Sequence, residues 1–420
     1  MNRRTFLKKS SLAGVGLSLG PWISALDLQK ASPGKTAGPL FAGEKDMKFL
    51  VLAGSPRERG RIHGETLRHE IRKMVEASLA DLRAAGLKPE DYINLITEKT
   101  GFIAATERWT PHLVEEMKGI GEGAGLDFKT TFTWNLLDES DWFFNEKRWV
   151  NPSSANTGRC SAFGVGREGN VPALIAQNAD MGPSFDSHQT LLHIKHADSD
   201  LEELVLTCPG CVGIYGLNNR SIGVCLNALT MQLNKSSSGL GTIFIARGIL
   251  ARKTWDEAIK FVQSVKHASG EAYTIGGPER VACFEGSANK VSQFIPYPEA
   301  NRVYHTNHPL VNDDLWLGIN TIERMAPELR ERFKKGILNS ETRLQSLKTR
   351  LDETSKPVTV ERAKSILSSH DSPEFPVCRH GKPGEGDITT YGMIMVLKPS
   401  PELQVAPGPP CKTEFKTYKF

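Results

Sequence analysis

The sequence changes character at Thr157-Gly158-Arg159-Cys160-Ser161-Ala162-Phe163-Gly164. A polar run of turn-forming residues, 151–159, stops there, and an apolar run typical of a strand, 160–165, begins at once. We predict mostly helices before this point and mostly strands after it. The thiol of Cys160 thus opens a strand directly after a flexible loop, where the chain could cut itself and expose an N-terminal cysteine. A small buried thiol without a chemical role is the alternative that this stretch alone leaves open.

Helical patterns precede Cys160. After a short strand over 48–53, Ser55-Pro56-Arg57-Glu58 reads as a capping box with proline at the first helical position. Gly60 and Gly64 are costly inside a helix, so we expect this helix to pack closely against another backbone. Helical stretches are predicted over 56–86, 89–109, 111–123 and 127–142.

Period-two alternation dominates after Cys160 and predicts an antiparallel meander with short turns. Strands are predicted over 160–165, 173–178, 191–196, 201–207, 212–217, 222–229, 272–275, 281–285, 291–295, 302–305, 388–396, 403–406 and 415–418. Helices are predicted over 241–265, 315–351 with a break near Gly336, and 357–368. Sheets covered by helices on both sides fit this order of elements.

The N-terminus predicts export. Asn2-Arg3-Arg4-Thr5-Phe6-Leu7-Lys8 matches a twin-arginine signal, and Ile23-Ser24-Ala25 offers a cleavage site. The apolar stretch between them is too short and interrupted to span a membrane. We therefore expect residues 1–25 to be a signal peptide and residues 26–46 a disordered leader. The protein would then work in the periplasm or outside the cell, without a stable membrane anchor.

Composition and charge exclude some partners. The chain has 420 residues and is 39% hydrophobic, which allows a sizeable core. Its formal net charge is +4, and residues 1–25 carry four basic residues and no acid, so their removal takes +4 to 0. A chain without a basic excess is not expected to bind nucleic acid.

The number of cysteines predicts at least one unpaired thiol. The seven cysteines are an odd number, so an exported chain keeps at least one of them unpaired, and six could pair if Cys160 is the free one. Cys208-Pro209-Gly210-Cys211 lies between strand-like runs instead of at a helix start, so we interpret it as a turn that a disulfide could close. No further ligands follow at zinc-site spacing, and we predict neither a metal site nor a cofactor.

Several polar residues fall at predicted strand ends. Asp180 closes Gln177-Asn178-Ala179-Asp180, Asn227 lies in Cys225-Leu226-Asn227-Ala228, and Asn307 lies in His305-Thr306-Asn307-His308. An asparagine at a strand end is by itself most often a turn residue. Glu139, in the predicted helix over 127–142, either lines a pocket near the cysteine or belongs to a polar helix face.

These motifs, in this order, resemble the N-terminal-nucleophile (Ntn) hydrolases of the penicillin acyltransferase type, which are relatives of the choloylglycine hydrolases. The resemblance covers about residues 47–420 and includes 54–60 with His63-Gly64, Arg159-Cys160-Ser161, 177–180, 216–218, 305–308, 378–380 and 406–411. It implies an α+β fold, a four-layer αββα sandwich with antiparallel sheets and a helical N-terminal segment. It also implies a precursor that is cut between Arg159 and Cys160 into an α part, 47–159, and a β part, 160–420, which stay associated.

The resemblance further implies the roles of the site residues. The Cys160 thiol would attack the Arg159 carbonyl, and the freed α-amino group, with a pKa of about 8, would then serve as the base. Asp180 would hold that amine, while Asn227 and Asn307 would stabilise the oxyanion. Gln177, Asn178 and Glu139 are candidate substrate-binding residues. Choloylglycine hydrolases carry an arginine where Gln177 stands, which argues against bile salt amides as substrates.

The function expected from these residues is that of an amidohydrolase, acting on C–N bonds, or an acyltransferase for a small N-acylated amine or amide. Hydrolysis is favoured over acyl transfer because acyl donors such as coenzyme A thioesters are cytoplasmic, whereas this chain is expected to be exported. The alternative from another class is an exported binding protein that keeps the fold without turnover, and it predicts an intact chain. A papain-like protease is disfavoured because its cysteine would begin a helix, whereas Cys160 begins a strand.

Overall fold

The structure is a computed structural model that describes residues 47–145, 159–182, 185–229, 232–297, 301–316, 327–352, 357–381 and 388–420. The predicted export signal and leader, residues 1–46, lie outside the described residues, as does most of the loop before Cys160. Within the described ranges, no helix is both long and apolar enough to span a bilayer.

The part before Cys160 is a strand followed by helices. Its elements are β1 (Lys48–Gly54), α1 (Pro56–Thr66), α2 (Arg68–Ala84), α3 (Pro89–Lys99), α4 (Phe102–Trp109), α5 (Pro111–Ala124), α6 (Phe128–Trp134) and α7 (Leu137–Asn145). The predicted capping box is present, because the Ser55 side chain accepts from the Glu58 backbone and the Glu58 carboxylate accepts in return from the Ser55 N–H.

The part from Cys160 onward carries most of the strands. Its elements are β2 (Arg159–Val165), β3 (Ala173–Met181), β4 (Thr190–His196), β5 (Glu202–Thr207), β6 (Tyr215–Asn218), β7 (Gly223–Ala228), α8 (Thr242–Leu250), α9 (Trp255–Ser264), β8 (Glu271–Gly276), β9 (Val281–Gly286), β10 (Val291–Phe294), β11 (Arg302–His305), α10 (Pro327–Asp352), α11 (Val360–Leu367), β12 (Ile388–Leu397), β13 (Glu402–Ala406) and β14 (Lys416–Lys419).

Two sheets form the centre of the molecule. The larger sheet has the strand order β1-β4-β5-β6-β7-β8-β9-β10, and the smaller has β11-β2-β3-β12-β13-β14. Neighbouring strands are antiparallel except for the parallel pair β1 and β4. Strands β2 and β3 pack against β7 and β8, while α8 covers the larger sheet and α10 and α11 cover the smaller. This is the predicted α+β class with four αββα layers and an antiparallel meander.

The structure corrects several predicted helix boundaries. The predicted helix over 241–265 divides into α8 and α9, because Thr254 and Glu257 form a second capping box. The break predicted near Gly336 is wrong, since α10 runs through that residue. A glycine costs a helix only about 1 kcal/mol, and burial of Leu347 and Leu351 on the same helix offsets that cost.

Close packing of α1 on α5 confirms the prediction drawn from Gly60 and Gly64. A Cβ placed on Gly60 would lie 1.9 Å from the Glu116 carbonyl oxygen, and one on Gly119 would lie 2.1 Å from the Arg57 carbonyl oxygen. Such distances are far inside van der Waals contact. The two helices therefore meet backbone to backbone, and only glycine fits at these positions.

Gly119→Ala is expected to destabilise the protein although alanine is the better helix former. The added methyl group must push α1 and α5 apart, and overpacking of this kind costs roughly 1–3 kcal/mol or more, against a helix-propensity gain of about 1 kcal/mol. Urea unfolding measures the loss. Gly336→Ala is the matched control, because nothing lies within 4 Å of its Cβ position; it should be neutral or stabilising, and equal effects of the two variants would contradict the packing argument.

A network of buried charges joins the helical part to the β part. Arg247 on α8 lies 3.0 Å from a Glu116 carboxylate oxygen on α5 and 2.9 Å from one of Glu203 on β5. Arg59 on α1 makes a 3.4 Å ion pair with the same Glu116. All four side chains are buried. Burial opposes the charged form of Glu203, yet Arg247 and His196 lower its pKa to about 2, so the network is ionised at neutral pH.

Two buried histidines, His63 and His267, and the half-buried His112 are expected to make the protein sensitive to acid. Burial lowers the pKa of His63, His112 and His267 to about 4. Between pH 6.5 and about 4 the unfolded chain binds protons that the folded chain excludes. Stability is therefore complete above that window and falls as pH drops through it, by about 1.4 kcal/mol per pH unit for each histidine.

Urea unfolding at stepped pH tests this expectation. His63→Gln should reduce the slope of stability against pH by the contribution of one histidine, because glutamine does not titrate. The fold should be kept, since the glutamine oxygen can accept the hydrogen bond that the Gly210 N–H donates to His63 Nε2 at 3.1 Å. The exposed His69 supplies the control, since His69→Gln should leave the slope unchanged. A stability that is flat across this pH window would refute the assignment of neutral buried histidines.

Candidate active site

The Cys160 thiol lies between the two sheets. Cys160 is paired with Ala179 in the ladder of β2 and β3, and its side chain faces the larger sheet, where Sγ is 3.9 Å from the Tyr215 hydroxyl on β6. The residue is only 6% exposed. A strand that starts immediately after the loop therefore places the sulfur inside the molecule but beside the end of the sheet.

The thiol is protonated in the intact chain. Burial raises the pKa of Cys160 to about 12, and the negative charge of Asp180 adds to the rise. The backbone N–H of Asp180 and the Tyr215 hydroxyl oppose it only in part. Because the thiolate is the nucleophilic form, chemistry at this sulfur requires a base that takes its proton during attack.

Asp180 lies opposite the bond that would be cut. It pairs with Arg159 in the ladder, and its carboxylate is fully buried. The Thr389 hydroxyl on β12 donates to Oδ1 at 2.7 Å, and Arg379 Nε lies 3.9 Å from Oδ2. The carboxylate is thus fixed near the N-terminus of β2, and its role as the partner of a freed amine stays a prediction.

Asn307 contacts Cys160 directly. Its Oδ1 accepts a 2.8 Å hydrogen bond from the Cys160 N–H, and its Nδ2 donates to the Ala228 carbonyl at 3.2 Å. Asn227 lies next to this point, since its Nδ2 donates to the His305 carbonyl at 3.4 Å. The structure therefore brings both predicted oxyanion residues to the end of β11, while their action on an oxyanion stays a prediction.

Arg343 is the main site residue that the sequence analysis misses. From α10 its guanidinium donates to the Cys160 carbonyl at 2.5 Å, to Ser161 Oγ at 2.9 Å and to Asn307 Oδ1 at 2.9 Å. The side chain is fully buried. One signal could have found it, because Arg343 stands four residues before the buried Leu347 and thus on the apolar face of a charged helix.

The two amides predicted to bind substrate, Gln177 and Asn178, both bond to the backbone of other elements. Gln177 connects the sheets, because its Nε2 donates to the Leu226 carbonyl at 2.6 Å and its Oε1 accepts from the Leu226 N–H at 3.0 Å. Asn178 points to the outer helical layer and donates to the carbonyls of Leu367 and Val377. Both amides hold backbone groups, and their predicted contact with substrate stays a prediction.

Glu139 is buried beside the start of α8. One carboxylate oxygen accepts from the Thr242 N–H at 3.0 Å and from Ser269 Oγ at 2.7 Å. Burial raises the pKa of Glu139. The acid thus stabilises a helix start and a turn, and its predicted contact with substrate stays a prediction.

The motif Cys208-Pro209-Gly210-Cys211 forms the predicted turn. Its two sulfurs are 3.2 Å apart and both residues are buried. Trp134 Nε1 donates to the Pro209 carbonyl at 3.0 Å, so the helical part also fixes this turn.

Arg343→Gln is expected to slow the predicted self-cleavage and the predicted turnover, on the order of 10²-fold, because the amide that holds the Cys160 N–H loses its own support. Arg343→Lys keeps the charge but not the planar fork, so an intermediate loss is expected. The fraction of cut chain over time on denaturing gels needs no substrate and provides the measurement. Lys334→Gln, on the exposed side of the same helix, is the control; an uncut fraction in Arg343→Gln no larger than in that control would dismiss this role.

Comparison with known proteins identifies a family for this chain. The family model of acyl-coenzyme A:6-aminopenicillanic acid acyl-transferase matches residues 166–399 of the 420-residue chain. No curated protein sequence matches.

Several solved structures are similar over 62% of this chain. An ortholog of N-acylethanolamine-hydrolyzing acid amidase from Caenorhabditis elegans is 12% identical, is covered over 100% of its length and has a TM-score of 0.39. A mutant conjugated bile acid hydrolase from Clostridium perfringens is 11% identical, is covered over 97% of its length and has a TM-score of 0.37. Penicillin V acylase from Agrobacterium tumefaciens is 10% identical, is covered over 86% of its length and has a TM-score of 0.39. Because the family model spans more than half of the chain, the protein belongs to the acyl-coenzyme A:6-aminopenicillanic acid acyl-transferase family.

Proposed function

We propose that the protein cuts itself before Cys160 and then acts as a cysteine amidase or acyltransferase on small N-acylated amines. The observation that carries the proposal is the pair of contacts at Cys160. Asn307 holds its backbone N–H at 2.8 Å, and Arg343 holds its carbonyl at 2.5 Å. Two separate elements therefore fix both backbone groups of one buried cysteine, which a cysteine that only fills space does not need.

In the cleavage step, Sγ attacks the Arg159 carbonyl carbon and the thiol proton passes to the departing Cys160 nitrogen. The C–N bond breaks, a thioester joins Arg159 to Cys160, and the new amine is free. Water then adds to the thioester carbonyl, releasing the Arg159 carboxylate and restoring the thiol. The step consumes one water and needs no other reactant.

In each catalytic cycle the free amine of Cys160 takes the thiol proton, which is feasible near neutral pH because such an amine has a pKa of about 8. The sulfur adds to the substrate carbonyl, and amide groups of Asn227 and Asn307 stabilise the oxyanion. The amine product leaves with the proton, and an acyl thioester remains on Cys160. Water resolves it in hydrolysis, and a second amine resolves it in transfer.

The two fragments would remain one folded body. Strand β1 of the α part pairs with β4 of the β part along Lys48 to Gly54. Glu116 of the α part also forms the buried ion pair with Arg247 of the β part. Separation would break a sheet ladder and leave charges unpaired inside the protein. We also propose that the protein is exported through the twin-arginine pathway. Because coenzyme A thioesters are cytoplasmic, hydrolysis is then favoured over acyl transfer.

Intact-mass analysis of the denatured wild-type protein tests the proposal. We expect one fragment that begins at Cys160 and another that ends at Arg159. After brief incubation with an excess of an N-acylated amino acid and quenching in acid, the fragment from Cys160 should gain the mass of the acyl group. A panel of acyl chains and amines then defines the substrate. A single uncut chain that gains no mass would favour the binding-protein alternative and reject the enzyme.

A further inference from the structure

Four side chains of metal-binding types lie close together in the C-terminal part of the chain. His370, Cys378, His380 and Cys411 bring one ligand atom each to within 4.8 Å of all the others. His380 Nε2 is 3.0 Å from His370 Nε2, 3.1 Å from Cys411 Sγ and 4.0 Å from Cys378 Sγ. Two nitrogens and two sulfurs thus surround a common centre.

The spacing matches that of a tetrahedral zinc ion. With Zn–S bonds of about 2.3 Å and Zn–N bonds of about 2.0–2.1 Å, the ligand atoms of a tetrahedron lie about 3.3–3.8 Å from one another. The three distances around His380 Nε2 bracket that range. Thiolate and imidazole ligands also favour zinc over magnesium and calcium, which prefer oxygen.

We propose that His370, Cys378, His380 and Cys411 form a structural Zn²⁺ site of the Cys₂His₂ type. Four protein ligands close the coordination sphere, so the ion has no open position for a substrate or an activated water. Its function is mechanical. It ties the segment after α11, which carries His370, to the segment before β12 and to the turn after β13, which carries Cys411.

The tied segment reaches the site around Cys160. Arg379 stands between two of the ligands, and its N–H donates to Thr389 Oγ1 at 2.8 Å. The Thr389 hydroxyl donates in turn to Asp180, and the Arg379 guanidinium lies 3.9 Å from the same carboxylate. The zinc ion would therefore hold residues 370–380, and Arg379 within them lies against the carboxylate of Asp180.

The sequence alone predicts no metal site because these four ligands are dispersed along the chain. Only Cys378 and His380 are neighbours in sequence. A disulfide between Cys378 and Cys411 is the competing state, since it would use both sulfurs and leave no thiolate for zinc.

Metal analysis of the full-length protein, purified under reducing conditions with zinc in the growth medium, tests the proposal. We expect about one zinc per chain, with X-ray absorption showing two sulfurs near 2.3 Å and two nitrogens near 2.0–2.1 Å. Cys411→Ser and His370→Ala should each lose most of the zinc. Both altered side chains are exposed, so the variants should fold. His69→Ala, also exposed, is the matched control and should keep the metal.

Chelation should lower the melting temperature of the wild type and of His69→Ala but not of Cys411→Ser, because only a bound ion adds to folded-state stability. Three results would overturn the proposal. They are a wild type free of zinc, equal zinc in all variants, and a Cys378–Cys411 disulfide in the non-reduced mass map. These readouts do not depend on acyl chemistry, so they stand apart from the test of the proposed function.

Discussion

Cys160→Ala is expected to leave the chain in one piece and to abolish amide turnover. The substitution removes the sulfur that would form both thioesters, and loss of a catalytic nucleophile costs on the order of 10⁶ in rate. The proposed self-cleavage should disappear with it, because the same atom would attack the Arg159 carbonyl. Denaturing gels and intact mass measure the first effect, and release of amine from an N-acylated substrate measures the second.

The matched control for this prediction is Cys283→Ala, which removes another fully buried thiol from a central strand, β9. It should be cut and should turn over substrate like the wild type. Circular dichroism should show that both variants fold. If Cys160→Ala is still cut at the same bond, the cysteine is not the agent and the proposed function fails at its first step.

Glu116→Ala is expected to destabilise the protein by about 3–5 kcal/mol, because it leaves buried Arg59 and Arg247 without their shared carboxylate. Burial opposes ionisation of Glu116, yet Arg247 and Arg59 hold its pKa below the usual range. Total stabilities of folded domains are about 5–15 kcal/mol, so the variant should lie near the limit of folding. Urea unfolding at neutral pH provides the measurement.

A second glutamate on the same helix supplies the control. Glu122 pairs with Arg57 at the surface, with side-chain exposures of 45% and 54%. Exposed pairs contribute about 0–1 kcal/mol, so Glu122→Ala should change stability little. The replacement of all four buried charges, Glu116, Arg247, Arg59 and Glu203, by apolar residues of similar size should recover much of the loss, since the penalty comes from the unpaired charges. Similar effects of Glu116→Ala and Glu122→Ala would show that the buried network contributes no more than a surface pair.

The order and type of the elements follow from local sequence. Ser55 and Glu58 begin a helix because their side chains satisfy backbone groups within one turn. Gly60 signals a close approach because only a missing Cβ permits it. Alternation from Cys160 onward gives strands because side chains on a pleated sheet face opposite sides in turn. Each of these signals depends on a few neighbouring residues, so each could be predicted from the sequence.

Contacts between segments that are distant in sequence could not be predicted from local sequence patterns. Arg343 reads as one charge on a charged helix until α10 packs on β2 and brings the guanidinium to Cys160. Gln177 reads as a polar strand end until the second sheet supplies the Leu226 backbone.

By itself, therefore, the sequence determined the change from helices to strands, the position of Cys160 near the start of β2 and the family to which the chain belongs. Only the tertiary structure decided which side chains surround that cysteine and that His370, Cys378, His380 and Cys411 lie together. The physical reason is that periodicity and capping act over a few residues, whereas such contacts depend on how whole layers pack.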